Sequence, residues 1–258
     1  MTDYNITASH EQEFLEDSKI GRFILSIGSK GSGKTYLMTN YLKYCIANNL
    51  YKNIVFVCPC YEGEANDSYA FLKNQNHILI YTHYSEKVSI KVDALRRKGS
   101  TLFLIDDASG ELLKQMDKTI IQLITTTRHF EKCTIFIALH SARRILSPIV
   151  RQNVDSCFIY KIINMKLLAD LHEEFFSQYF DKFSDFKRWY LDATKEKYSA
   201  IHFSIHMQGI DVNVKNWTVQ FNQPEVFKPT KAIIKKKVVS PKAKQQSSIR
   251  FLFSRKRF

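Results

Sequence analysis

Residues 28–35 read Gly-Ser-Lys-Gly-Ser-Gly-Lys-Thr, directly after the predicted strand Phe23–Ile27 and directly before a predicted helix that begins near Lys34. The spacing is glycine, four residues, then Gly-Lys-Thr, in the order strand, loop, helix. Each residue type has a physical reason to be there. Successive glycines let the backbone curl so that its amide hydrogens point inward around a phosphate. The helix that follows turns its positive dipole end toward the same anion. Gly28, Ser29, Lys30, Gly31, Ser32, Gly33, Lys34 and Thr35 are therefore a candidate nucleoside triphosphate cradle. Lys34 would reach the β and γ phosphates, and the Thr35 hydroxyl would ligate Mg²⁺. The bland alternative is a glycine-rich turn carrying a surface lysine.

The surrounding pattern sets the fold class. Phe23–Ile27, Ile54–Cys58, Ile78–Tyr81, Leu102–Ile105, Thr134–Leu139 and Cys157–Tyr160 are short apolar runs rich in β-branched and aromatic residues. Between most of them lie stretches of helical length, at 34–48, 84–98, 110–129 and 143–153. Continuous apolar strands separated by helices predict an α/β, doubly wound fold: a mostly parallel sheet with helices on both faces. From Met165 to Leu191 the pattern becomes helical, with Leu167, Leu171, Phe175 and Tyr179 four apart on one stripe. That stripe reads as core. Tyr198–Ile205 and Val212–Phe221 predict a terminal hairpin turning at His206–Ile210. The expected organisation is a polar lead-in at 1–20, a P-loop NTPase domain at 21–223 (core 21–163, C-terminal helices and hairpin 164–223) and a tail at 224–258.

A second cluster of chemistry closes the run Thr101–Ile105, which ends in Asp106-Asp107. In an open α/β sheet the carboxyl ends of the strands face the ligand crevice. Asp106 is expected to hold the Mg²⁺ that bridges the terminal phosphates. Asp107 is expected to orient or deprotonate the attacking water; a turn or helix cap is the alternative for such a pair. The run Thr134–Leu139 ends at His140, placed either to sense the γ phosphate or to serve structure alone. Arg128 is either a charge that stabilises a transferring phosphoryl group from a neighbouring subunit or a favourable charge at a helix C-terminus. Arg151, in Ser-Pro-Ile-Val-Arg-Gln-Asn, is the second candidate for the first of those roles.

Charge is unevenly spread. Of 38 Lys and Arg, 11 fall in residues 226–258, which contain no acid, so the first 225 residues carry 27 basic against 25 acidic side chains. The basic end is suited to a polyanion or to solubility and localisation. Five scattered cysteines predict a reducing compartment rather than a disulfide framework. No apolar run approaches the roughly 18 residues of a membrane span, and the acidic, polar N-terminus does not read as a secretory signal.

Taken in order, GSKGSGKT, NIVFVCP, LFLIDD, TTRHF, TIFIALHS, SPIVRQN-VD and KYSAIHFSI resemble the DNA-packaging ATPases of double-stranded DNA viruses with the double jelly-roll capsid. This is the poxvirus-type, polinton and virophage branch of the FtsK–HerA superfamily. The resemblance spans about residues 20–205. It implies an ATP-driven, Mg²⁺-dependent motor that moves double-stranded DNA into a preformed capsid. It implies a homo-oligomeric ring of five or six subunits at a viral capsid vertex, with no membrane partner. It also implies residence in the host cell cytoplasm or viral factory, with virion association as a further expectation. Under the resemblance, Lys34, Asp106, Asp107 and His140 form the catalytic set and Arg128 is the trans-acting finger. Many relatives carry Glu where Asp107 stands and Gln where His140 stands. Two other classes compete: another P-loop enzyme, such as a small-molecule kinase or a chromosomal DNA pump, and a non-catalytic, nucleotide-gated DNA- or capsid-binding protein.

Overall fold

A computed structural model describes residues 21–59, 61, 67–75, 77–107, 118–130, 132–140, 147–204 and 209–212. The predicted lead-in at 1–20 and the basic tail at 224–258 lie outside these. Six of the strands are β1 (Phe23–Ile27), β2 (Asn53–Val57), β3 (Ile78–Tyr81), β4 (Thr101–Ile105), β5 (Cys133–Leu139) and β6 (Ser156–Tyr160). Every residue of β1, β4, β5 and β6 is buried. That is the signature of parallel strands covered on both faces rather than of a half-solvated sheet.

The sheet order is β3-β2-β4-β5-β1-β6-β7-β8, in which β7 is Ala200–Ser204 and β8 is Gly209–Val212. β1 to β6 are mutually parallel; β7 and β8 run antiparallel at one edge. The predicted hairpin is therefore present but displaced. Tyr198 does not belong to β7, because its φ of 67° is left-handed and cannot continue a strand. The return strand begins at Gly209 instead of Val212, with Ser204 opposite Gly209, so Gly209 and Ile210 are strand rather than turn. Residues 213–221 lie outside the description.

Strand alternation divides the core into two layers. Phe23, Leu25, Ile27, Phe103, Ile105, Ile135 and Ile137 point to one face, and Ile24, Leu102, Leu104, Phe136 and Ala138 point to the other. The second face is covered by α1 (Lys34–Ala47) through Leu37, Met38, Tyr41, Leu42 and Cys45, and by a 3₁₀ segment at Asp67–Asn74 through Tyr69 and Leu72. The first face carries more helices: α2 (Glu86–Arg96), α3 (Lys118–Thr125), α4 (Pro148–Gln152), α5 (Met165–Leu171) and α6 (Phe183–Ala193). The predicted helix 110–129 corresponds to α3 and a separate 3₁₀ turn, Thr127–His129; residues 110–117 are outside the description. The Leu167–Leu171–Phe175–Tyr179 stripe packs into the first-face core. A π-helical turn at His172–Phe176 carries it past the end of α5. Among the described residues no helix is long and apolar enough to cross a membrane.

Candidate active site

Strand order gathers the chemistry. β5 stands between β1 and β4, so the loop after β1, His140 after β5 and Asp106-Asp107 after β4 leave three neighbouring strand ends. All three open on the carboxyl side of the sheet, where ligand crevices form in such folds.

The loop after β1 is shaped by what it touches. A Cβ at Gly28 would lie 2.6 Å from Tyr160 Cβ and 2.8 Å from Ser32 Oγ, so no larger residue fits beneath the curl. Gly33 has φ 113°, a backbone conformation that disfavours any side chain, and it precedes α1 without a side-chain cap. The first-turn amides of α1 are thus left for an anion. Ser29 N–H donates to Lys161 O (3.1 Å), and Ile163 N–H donates to Ser29 Oγ (3.4 Å). This ties the loop to the chain after β6. Lys30 is exposed at the tip.

Lys34 is buried and donates to Gly28 O (2.8 Å) and Ser29 O (2.9 Å). Burial lowers its pKa, against the pull of Asp106 and Asp107. Thr35 Oγ1 donates to Asp106 Oδ2 at 2.9 Å, bringing the two predicted Mg²⁺ ligands together. Asp106 is itself buried. Its carboxyl pKa is raised by desolvation, against stabilising donations from Tyr69, Thr35 and the Asp107 N–H. Asp107 sits in the left-handed region at φ 49° with a half-exposed side chain.

His140 bridges the two halves. Its Nδ1 lies 3.0 Å from Gly28 O, and its Nε2 lies 3.3 Å from Asp107 Oδ1. Both oxygens are acceptors, so a neutral ring can serve only one of them and an imidazolium both. Nδ1 is also 3.5 Å from Lys34 Nζ, so the tautomer decides whether the ring donates to the loop or accepts from the lysine. The five residues Gly28, Lys34, Asp106, Asp107 and His140 thus form one connected group.

The predicted arginines stand elsewhere. Arg128 lies in the 3₁₀ turn before β5, at the amino end of the strands and opposite the loop. Its guanidinium pairs with buried Asp155, whose other oxygen accepts from Phe23 N–H at 2.7 Å. Arg151 on α4 pairs with Glu174 at 2.7 Å. Within its own chain neither approaches Lys34 or Asp106.

One participant escaped the sequence. Tyr69, on the 3₁₀ segment, is buried and donates its hydroxyl to Asp106. Burial and the adjacent carboxylate push its phenol pKa far upward, so it is a permanent donor. Residues 67–74 show no strong period, and a tyrosine 37 positions before an aspartate carries no local signal.

No family model matches the chain, and no curated protein matches it in sequence. Solved structures do match. The DNA-packaging ATPase B204 from Sulfolobus Turreted Icosahedral Virus aligns over 76% of this chain and 98% of its own, with a TM-score of 0.55 at 15% identity. The genome packaging NTPase B204 of Sulfolobus turreted icosahedral virus 2, in complex with ATPγS, aligns over 75% of this chain and 96% of its own, with a TM-score of 0.54 at 17% identity. The pCW3 conjugation coupling protein TcpA, with ATPγS, aligns over 76% and 60%, with a TM-score of 0.50 at 15% identity. The fold is that of the P-loop NTPases.

The residues at this P-loop fit a magnesium–triphosphate complex. Ser32 Oγ is buried in the loop without a hydrogen-bond partner among the described residues, as expected of a group that waits for an acceptor. The uncapped start of α1 would supply the anion-binding half and the paired Thr35–Asp106 oxygens the cation-binding half. Mg²⁺ commonly takes one or two protein oxygens and fills its remaining positions with water and phosphate.

Proposed function

We propose that this chain is an ATP-hydrolysing motor that translocates double-stranded DNA, and that its task is viral genome packaging into a preformed capsid. The reading rests on one observation: a P-loop, a hydrogen bond from Thr35 to buried Asp106 and a His140 bridge to Asp107 meet at three adjacent strand ends. The fold that holds them is shared with B204, a DNA-packaging ATPase. The sequence resemblance adds the poxvirus-type, polinton and virophage branch, the ring of five or six subunits, the capsid vertex and the viral factory of the host cell as the setting.

In this mechanism Lys34 exchanges the Gly28 and Ser29 carbonyls for the phosphates. The α1 amides hold the same anion, and Thr35 and Asp106 would hold Mg²⁺. When bound, the ion supplies neutralisation of the charge that develops on the terminal phosphates. Asp107 orients the attacking water and accepts its proton. His140, touching both Gly28 and Asp107, registers whether the γ position is filled. Contacts to DNA go to the phosphate backbone, since a pump must ignore sequence, and the basic tail is suited to contribute.

ATP turnover by the purified full-length chain, with and without duplex DNA and with oligomer mass measured in the same buffer, tests the reading. DNA-stimulated turnover by a ring is the expected result. Phosphoryl transfer to a small acceptor would identify a kinase, and absence of turnover in both conditions would identify a nucleotide-gated binding protein.

A further inference from the structure

The two flanks of the P-loop differ in chemistry. On the β5–β4 side stand His140, Asp106 and Asp107. On the β6–β7 side stand Tyr198 and Ile163, with Lys161 and Lys197 beside them. Because β7 is antiparallel to β6, with Ala200 opposite Tyr160, the segment just before β7 lies at the same end of the sheet as the loop. Tyr198 is in that segment. A Cβ placed at Gly33 would lie 3.6 Å from both Cβ and Cδ1 of Tyr198, so the tyrosine stands immediately beside the residue that precedes α1.

Tyr198 is held there against its own preference. Its φ is 67°, a region a bulky residue rarely adopts and that favours glycine or asparagine. Neighbouring bonds impose this conformation: Ser199 N–H donates to Glu196 O at 3.2 Å, and Ser199 Oγ donates to Ala193 O at 2.9 Å. Despite that cost the side chain is 53% exposed, so core packing does not account for a tyrosine at this position. Lys197 Nζ lies over the ring at 4.8 Å from its centroid, a contact that an exposed lysine gives up readily. Ile163, whose N–H meets Ser29, is 75% exposed on the same flank.

The geometry points to Tyr198 as the stacking platform for the nucleobase of the bound nucleotide. This rests on the triphosphate reading above. With the γ end directed to Lys34, Asp106 and His140, the remainder of the nucleotide leaves the loop toward the opposite flank, where the strained tyrosine offers a π surface. The base displaces Lys197 from the ring and takes its place.

Calorimetric titration of the full-length chain with Mg²⁺ and either AMPPCP or inorganic tripolyphosphate tests this, because tripolyphosphate has no base. Tyr198→Asn keeps the left-handed backbone and removes the ring; Tyr198→Phe keeps the ring. Tyr198→Asn is expected to weaken AMPPCP about tenfold and leave tripolyphosphate unchanged, while Tyr198→Phe stays within about twofold of wild type for both. Equal weakening of both ligands by Tyr198→Asn, or no weakening of AMPPCP, would overturn the assignment. Wild-type binding of tripolyphosphate as tight as that of AMPPCP would also overturn it while leaving the P-loop reading intact. Failure of wild type to bind either ligand would remove the P-loop reading, and this inference with it.

Discussion

Asp106 shows how a single buried carboxylate links stability to chemistry. Desolvation raises its pKa from the usual aspartate value despite three donors. As pH rises, the unfolded chain gives up this proton before the folded one does. Stability from this group is therefore full at acid pH and falls as pH climbs through the unfolded and then the folded pKa. Asp106→Asn is thus expected to raise the melting temperature of the nucleotide-free protein at pH 7. The gain should shrink as pH falls through the raised folded pKa and be gone below the unfolded value of about 4, and the variant should lose hydrolysis throughout; a thermal melt series across pH checks it. Lys34→Ala is expected to reduce turnover by at least about 10²-fold and to weaken triphosphate binding, measured by phosphate release and calorimetry. Residue identities of this kind were legible in the sequence, because glycine spacing and a strand-terminal acid carry local signals. The Tyr69 hydroxyl and the Asp155 partner of Arg128 were not, since each contact is made only when distant strands are brought into register.

Among the elements, α6 has a role beyond covering the sheet. Tyr190 Oη donates to Tyr160 O at 2.6 Å and accepts from Ile162 N–H at 2.7 Å. It thereby sets the chain after β6, whose Lys161 and Ile163 in turn hold Ser29. Tyr190→Phe is expected to leave both backbone groups unpaired, costing about 1–3 kcal/mol. It should also weaken nucleotide binding through the loosened loop, read from urea unfolding and calorimetry together. Another coupling of elements joins α2 to α3. Buried Arg96 donates to Asp93, to Leu123 O at 3.3 Å and to Thr126 Oγ1 at 2.9 Å, and lies over the Phe130 ring. The six apolar runs gave the parallel strands to within a residue, because strands buried on both faces need uninterrupted hydrophobic sequence. The hairpin was displaced because Tyr198 sits in a left-handed conformation that no alternation pattern reveals.

At the scale of the molecule, the sheet separates the P-loop and Arg128 to opposite ends of its strands, and Arg128 is bonded to Asp155 in its own chain. If Arg128 serves a neighbour in the proposed ring, mixing Lys34→Ala subunits with Arg128→Ala subunits should recover turnover that neither variant shows alone, measured as ATP hydrolysis against mixing ratio. No recovery would leave Arg128 as the fold-stabilising partner of Asp155. With Arg128 serving a neighbour, the separation also constrains how the proposed ring is built. Strands of five to seven residues are about 17–24 Å long, too far for one arginine side chain to span. Subunits standing upright like barrel staves, with strands parallel to the channel, would hold every Arg128 at one rim and every nucleotide at the other. Only an arrangement with the strands lying along the circumference, heel to toe, lets the trailing end of one protomer meet the leading end of the next.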